Sequence, residues 1–153
     1  MPELAMSMSS RARLLLAALW AGSLWTVGYV VAPTLFLSLH DNVLAGTIVG
    51  MLLRSQAWLA IGCAVVLYVL VRFAAIAPAH KRALGLLIVA MLACALVIYV
   101  GLQPAMAQLK EAAGASGLAG TPQGRQFGIL HGVSQLVYLV ESVLAGVLLV
   151  TMR

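Results

Sequence analysis

Apolar residues run along this chain in four long blocks, and most polar positions fall between them. The blocks cover about residues 14–39, 43–73, 83–102 and 122–152. A helix rises about 1.5 Å per residue, so roughly 20 apolar residues cross a hydrocarbon core about 30 Å thick. Each block is long enough to cross. The pattern predicts an all-α protein, an integral membrane four-helix bundle forming one transmembrane domain over residues 1–153. The N-terminal stretch "MPELAMSMSSRARLLLAALWAGSLW" has the basic-then-apolar order of a signal peptide. Its apolar run continues to Leu39 without a cleavage site, so it reads as a span that stays.

Punctuation residues mark the helix ends. Ser9 or Ser10 can cap the first span and Asp41 or Asn42 the second, because short polar side chains accept from the free amides of a first turn. Pro33 falls near the far end of span one, where a kink costs least. Span three starts after Pro78 and is expected to stop at Pro104. Residues 104–113, "PAMAQLKEAA", are expected to form a short interfacial helix with Pro104 as its first residue. "GASGLAG" (114–120) reads as a flexible loop. Thr121 and Pro122 are a cap and first-turn pair that opens span four. No repeat of 20–50 residues is visible.

Composition supports the membrane reading. The chain is 63% hydrophobic and 8% charged, against about 25% charged residues in soluble domains. It cannot cover its own surface with polar groups, so the lipid bilayer is part of its solvent. The net charge of +5 is a topology signal here, and no basic patch with interleaved aromatics points to nucleic acid. Arg11 and Arg13 precede span one, Arg72, Lys81 and Arg82 lie between spans two and three, and Arg153 follows span four. The loop between spans one and two has no Lys or Arg, and the loop between three and four sets Lys110 and Arg125 against Glu111. The positive-inside rule then makes both termini cytoplasmic, as expected of a multi-pass protein of the bacterial inner membrane. Cys63 and Cys94 lie in apolar runs and read as small packing residues rather than a disulfide.

Span four breaks the apolar pattern. His131, Ser134, Gln135, Tyr138, Glu141 and Ser142 recur at helical spacing and fall on one face at about 100° per residue. Lone polar groups are costly in lipid, so the stripe is expected to face the other helices or a water-filled cleft. Arg54 is the natural partner for Glu141. It lies 18 residues before Arg72, while Glu141 lies 12 before Arg153. If the two inner ends are level, the depth difference is six residues, or about 9 Å. A structural salt bridge and a functional pair both fit that arrangement. The candidate polar intramembrane site is therefore Arg54, His131, Ser134, Gln135, Tyr138 and Glu141.

A lone membrane histidine can be a haem or metal ligand, a proton carrier or a packing residue. His40 lies in a loop, His80 is on the opposite side, and Met51 and Met106 with His131 make no strong copper motif. No metal site or cofactor is expected, and His131 is the only candidate ligand. Gly46 with Gly50 and Gly128 with Gly132 form small-xxx-small pairs. Internal packing of the bundle is the favoured reading of both, ahead of homodimerisation. No nucleophile–base set and no glycine-rich phosphate loop is visible, so no enzymatic reaction is expected.

"LWAGSLWTVGYVVAPTLF" (Leu19–Phe36), "AGTIVGML" (Ala45–Leu52) and "RQFGILHGVSQLVYL" (Arg125–Leu139) carry a resemblance over nearly the whole chain. It resembles small bacterial membrane proteins classed under a domain of unknown function and similar to eukaryotic transmembrane protein 205. That resemblance implies a four-span bundle and no reaction. "WAGSLW" and "APTLF" are more loosely similar to copper-resistance and membrane protoporphyrinogen-oxidase proteins, but span one lacks the histidines those proteins carry there. The expected function is non-catalytic binding of a partner protein, a lipid or a small apolar molecule at the inward polar face. The alternative is a haem- or metal-binding redox protein, or a small transporter, using His131, Glu141 and Arg54.

Overall fold

The computed structural model describes residues 8–114 and 117–152. Arg153 of the charge pattern and residues 115–116 of the glycine-rich loop lie outside the described residues. Among the described residues helices are joined by short connections and there is no strand. The first span runs through α1 (Met8–Trp25), a π-helical segment (Thr26–Val31) and α2 (Ala32–Ser38). The second is α3 (Asn42–Arg72). The third runs through α4 (Pro78–Leu96), a second π segment (Val97–Leu102) and α5 (Gln103–Ala113). The fourth is α6 (Pro122–Thr151). All four are long and apolar enough to cross a membrane.

Local chemistry sets several ends. Asp41 Oδ1 accepts from the amides of Val43 at 2.8 Å and Leu44 at 3.1 Å, which caps α3. Thr121 Oγ1 accepts from Gly124 N at 3.0 Å, and Pro122 follows as the first helical residue of α6. Lys81 Nζ donates to Arg72 O at 3.3 Å, so a cation meets the free carbonyls at the end of α3. Ser9 and Ser10 lie inside α1 as it is described rather than ahead of it, and Ser10 Oγ accepts from Arg13 at 3.0 Å.

Pro104 does not stop the third span. The helix passes through it, and Leu102 and Gln103 keep right-handed helical dihedrals. A proline inside a helix removes one amide donor and clashes with the carbonyl four residues back. A π turn widens the ladder locally and relieves that clash. The same device precedes Pro33, and each π segment starts seven residues ahead of its proline, Thr26 before Pro33 and Val97 before Pro104. The plan is thus used twice: a proline-bearing span with a π segment, then an uninterrupted helix of 31 residues in α3 and 30 in α6.

The four spans pack around a square. α1 lies beside α3 and α6, and α4 lies beside the same two. The densest core occupies the end carrying the N-terminus of α1. It includes Ala17, Trp20, Leu24, Ala60, Leu67, Leu84, Ile88, Met91, Ala145 and Leu148. Small residues on α1, α3 and α6 (Ala17, Ala21, Ala60, Ala64, Ala145) let the backbones approach closely there. Beyond the π segments the packing opens.

Candidate functional site

A cavity of about 540 Å³ lies in the open half of the bundle. α3 supplies one wall through Arg54, Gln56, Ala57 and Ala60, and the third span supplies the other through Ala95, Ile98, Tyr99, Val100 and Gln103. Tyr138 and Glu141 of α6 and Leu24 of α1 complete it. Three of the wall residues, Ile98, Tyr99 and Val100, belong to the second π segment. The proline that was expected to end the span therefore sits beside the π segment that shapes this wall.

The cleft has a rim and a floor. Arg54, Met51, Val100 and Pro104 are exposed on the flank of the bundle between spans two and three. Gln56 and Glu141 are deep, at 7% and 2% exposure. Arg54 places its guanidinium carbon 5.9 Å from the centre of the Tyr99 ring, and Tyr99 meets Trp58 edge-on at 6.5 Å. A cation over an aromatic face gains from the ring quadrupole. Among the described residues no acidic group lies within 4 Å of Arg54, and Glu141 has neither an ion pair nor a hydrogen-bond donor. The two groups line one cavity without meeting. Gln56 Nε2 is buried and has no hydrogen-bond partner.

Tyr138 ties the cleft to the first span. Its hydroxyl donates to Leu24 O at 2.6 Å, just before the first π segment, where the regular ladder gives way. Its ring meets Tyr29 edge-on at 6.2 Å and lies directly on the backbone of Gly28. A Cβ at Gly28 would overlap the ring, so this position has room only for glycine. Next to it, Ser142 joins α6 to the same segment. Its Oγ accepts from Tyr29 at 2.9 Å and its carbonyl from Trp25 Nε1 at 3.3 Å.

The polar stripe of span four is divided. Ser134, Glu141 and Ser142 are buried and Tyr138 is half-buried, whereas His131 and Gln135 are exposed on the outside of the bundle. A stripe faces inward only where neighbouring helices cover it, and towards the start of α6 that cover is incomplete. His131 stacks on Phe127, with ring centres 6.0 Å apart and planes 7° from parallel. Lys110 of α5 lies over the Phe127 ring at 5.3 Å. Among the described residues no group of three or more His, Cys, Asp and Glu side chains is placed to hold a metal ion. The small-xxx-small pairs do not pack inside the bundle as expected. A Cβ at Gly50, Gly128 or Gly132 would meet nothing within 4 Å, and one at Gly46 would come only into ordinary contact with Lys110 and Phe36.

Gln56, Tyr99, Gln103 and Gly28 were not singled out from the sequence. Gln56 follows Arg54 by two residues, which puts it on a different side of α3, so no periodic stripe announces it. The run "YVGLQP" (Tyr99–Pro104) did hold a signal, since two polar groups flank a proline inside an apolar block.

The fold, with four helices long and apolar enough to cross a membrane, is that of a multi-pass membrane protein. The chain belongs to the family defined by the domain of unknown function DUF4149, whose model matches residues 15–115. No curated protein and no solved structure matches it.

Two outcomes follow from this geometry. Gly28→Ala should destabilise the detergent-solubilised protein by about 1–3 kcal/mol through overpacking against Tyr138, read as a lower unfolding midpoint in sodium dodecyl sulfate. An unchanged midpoint would show that the ring does not sit on that backbone. For Arg54→Gln and Glu141→Gln, a double-mutant cycle on stability should give coupling below about 0.5 kcal/mol, because the side chains do not touch. Coupling above about 1 kcal/mol would mean a direct ion pair.

Proposed function

We propose that this protein is a non-catalytic membrane protein that takes an amphipathic molecule from the bilayer into the cleft between its second and third spans. The observation that carries this reading is the cleft itself. Its volume of about 540 Å³ falls within the range of ligand pockets. Its lining is mostly apolar, yet it holds the Arg54 guanidinium, the Glu141 carboxyl group and a buried Gln56 amide nitrogen that has no hydrogen-bond partner. Buried polar groups without partners are costly, and a ligand that supplies partners recovers that cost. The rim is exposed on the flank of the bundle, which lipid contacts when the spans are embedded.

We further infer an inner-membrane orientation with both termini cytoplasmic. Arg11, Arg13, Arg72, Lys81 and Arg82 gather at one end of the bundle, which supports it. A cysteine placed at His80 should resist a membrane-impermeant maleimide in intact cells, while one at His40 should react. The reverse pattern would overturn the orientation.

Filling the cleft tests the binding reading. Ala57 is buried in the α3 wall. Ala57→Phe should cut retention of a photoactivatable amphiphile by roughly tenfold, a change of about 1.4 kcal/mol in binding. Val150→Ala, far from the cleft and largely exposed, should leave it unchanged. Equal labelling of the wild type and Ala57→Phe would sink the proposal.

A further inference from the structure

The cleft carries a guanidinium and a carboxyl group that do not meet. Arg54 stands at the rim with an aromatic face beneath it and no anion near it. Glu141 stands at the floor, 2% exposed, with no hydrogen bond and no ion pair. In the same lining Gln56 Nε2 has no acceptor. Each group asks for a different complement: an anion at the rim, a cation or strong donor at the floor, and an acceptor oxygen at Gln56. A cationic amphiphile would satisfy Glu141 and be repelled by Arg54. An anionic one would satisfy Arg54 and leave Glu141 bare. A single molecule that carries both charges satisfies all three groups and brings no net charge into a low-dielectric site.

The position of the rim narrows the source. Met51, Trp58 and Val100 beside the opening are 58%, 63% and 65% exposed, so apolar chains leaving the cleft would lie against apolar side chains. We propose that the cleft binds the headgroup of a zwitterionic phospholipid, its phosphate at Arg54 and its ammonium at Glu141, with Gln56 donating to a phosphate or ester oxygen. Guanidinium suits a phosphate because it presents several donors in a fixed fork. The acyl chains stay in the leaflet on the flank of spans two and three. This inference rests on the cleft being a ligand site at all, as argued above.

The test uses the full-length protein in detergent micelles, with bound lipid counted by native mass spectrometry. Four probes are titrated separately: phosphatidylethanolamine, phosphatidylglycerol, dodecylammonium and uncharged diacylglycerol. The expected ranking puts phosphatidylethanolamine about tenfold or more ahead of each of the others. Glu141→Gln should bring it down to phosphatidylglycerol, and Arg54→Gln down to dodecylammonium. Arg54→Lys, which keeps the charge, should retain part of the preference. Phosphatidylglycerol or diacylglycerol binding as well as phosphatidylethanolamine would overturn the headgroup assignment and leave the ligand reading standing. Free phosphoethanolamine competing on equal terms would overturn the lipid source. Retention of none of the four would remove both readings together. The wild-type ranking decides the matter even where a variant fails to fold.

Discussion

Inside a bilayer no water is available to a backbone amide or carbonyl, so a chain that crosses it must satisfy those groups itself. This constraint governs how the protein handles Pro33 and Pro104. Each removes a donor inside a span that cannot stop at that point. Both spans pass through their proline with a π segment just before it. The adjustment spreads outward from there. Near the first π segment the Leu24 carbonyl takes a hydrogen bond from Tyr138, which fixes that ring on Gly28. The second π segment becomes a wall of the cleft.

The two ends of the bundle divide the work. At one end alanines bring the helices together and large side chains such as Trp20, Leu67 and Met91 are sealed in. Even there the fit is not free of cost, since Trp20 Nε1 is buried without a partner. At the other end a cavity of about 540 Å³ opens between α3 and the third span, and polar groups line it. A close-packed half holds the geometry of an open one.

How far the structure can be read from the sequence depends on the range of the contact. The four spans follow from the length of the apolar blocks. The caps at Asp41 and Thr121 follow from chemistry that reaches only two or three residues. The path through Pro104 was not legible, because a proline at the end of an apolar block ordinarily ends a helix. Nor was the division of the polar stripe. Six positions at helical spacing define a face, but only the neighbours decide how much of it is covered, so His131 and Gln135 came out exposed while Glu141 went in. The glycine pairs show the same limit. Gly128 and Gly132 form a motif for close approach, and the direction in which they approach anything is set by the packing of the whole bundle. Of the candidate site, Arg54, Tyr138 and Glu141 share the cleft. Gln56 and Tyr99 entered it from helix faces that carry no repeating polar signal.

The sideways opening of the cleft changes what concentration means for this protein. A site that opens to water is filled according to the molarity of a dissolved ligand. One whose mouth lies on the flank between two spans is filled from a two-dimensional solvent, and its occupancy tracks the mole fraction of ligand in the surrounding leaflet. A molecule that barely dissolves in water is then abundant at the mouth, and modest intrinsic affinity is enough to keep the site occupied. On the proposed reading, the composition of one leaflet becomes the variable that sets how full the cleft is.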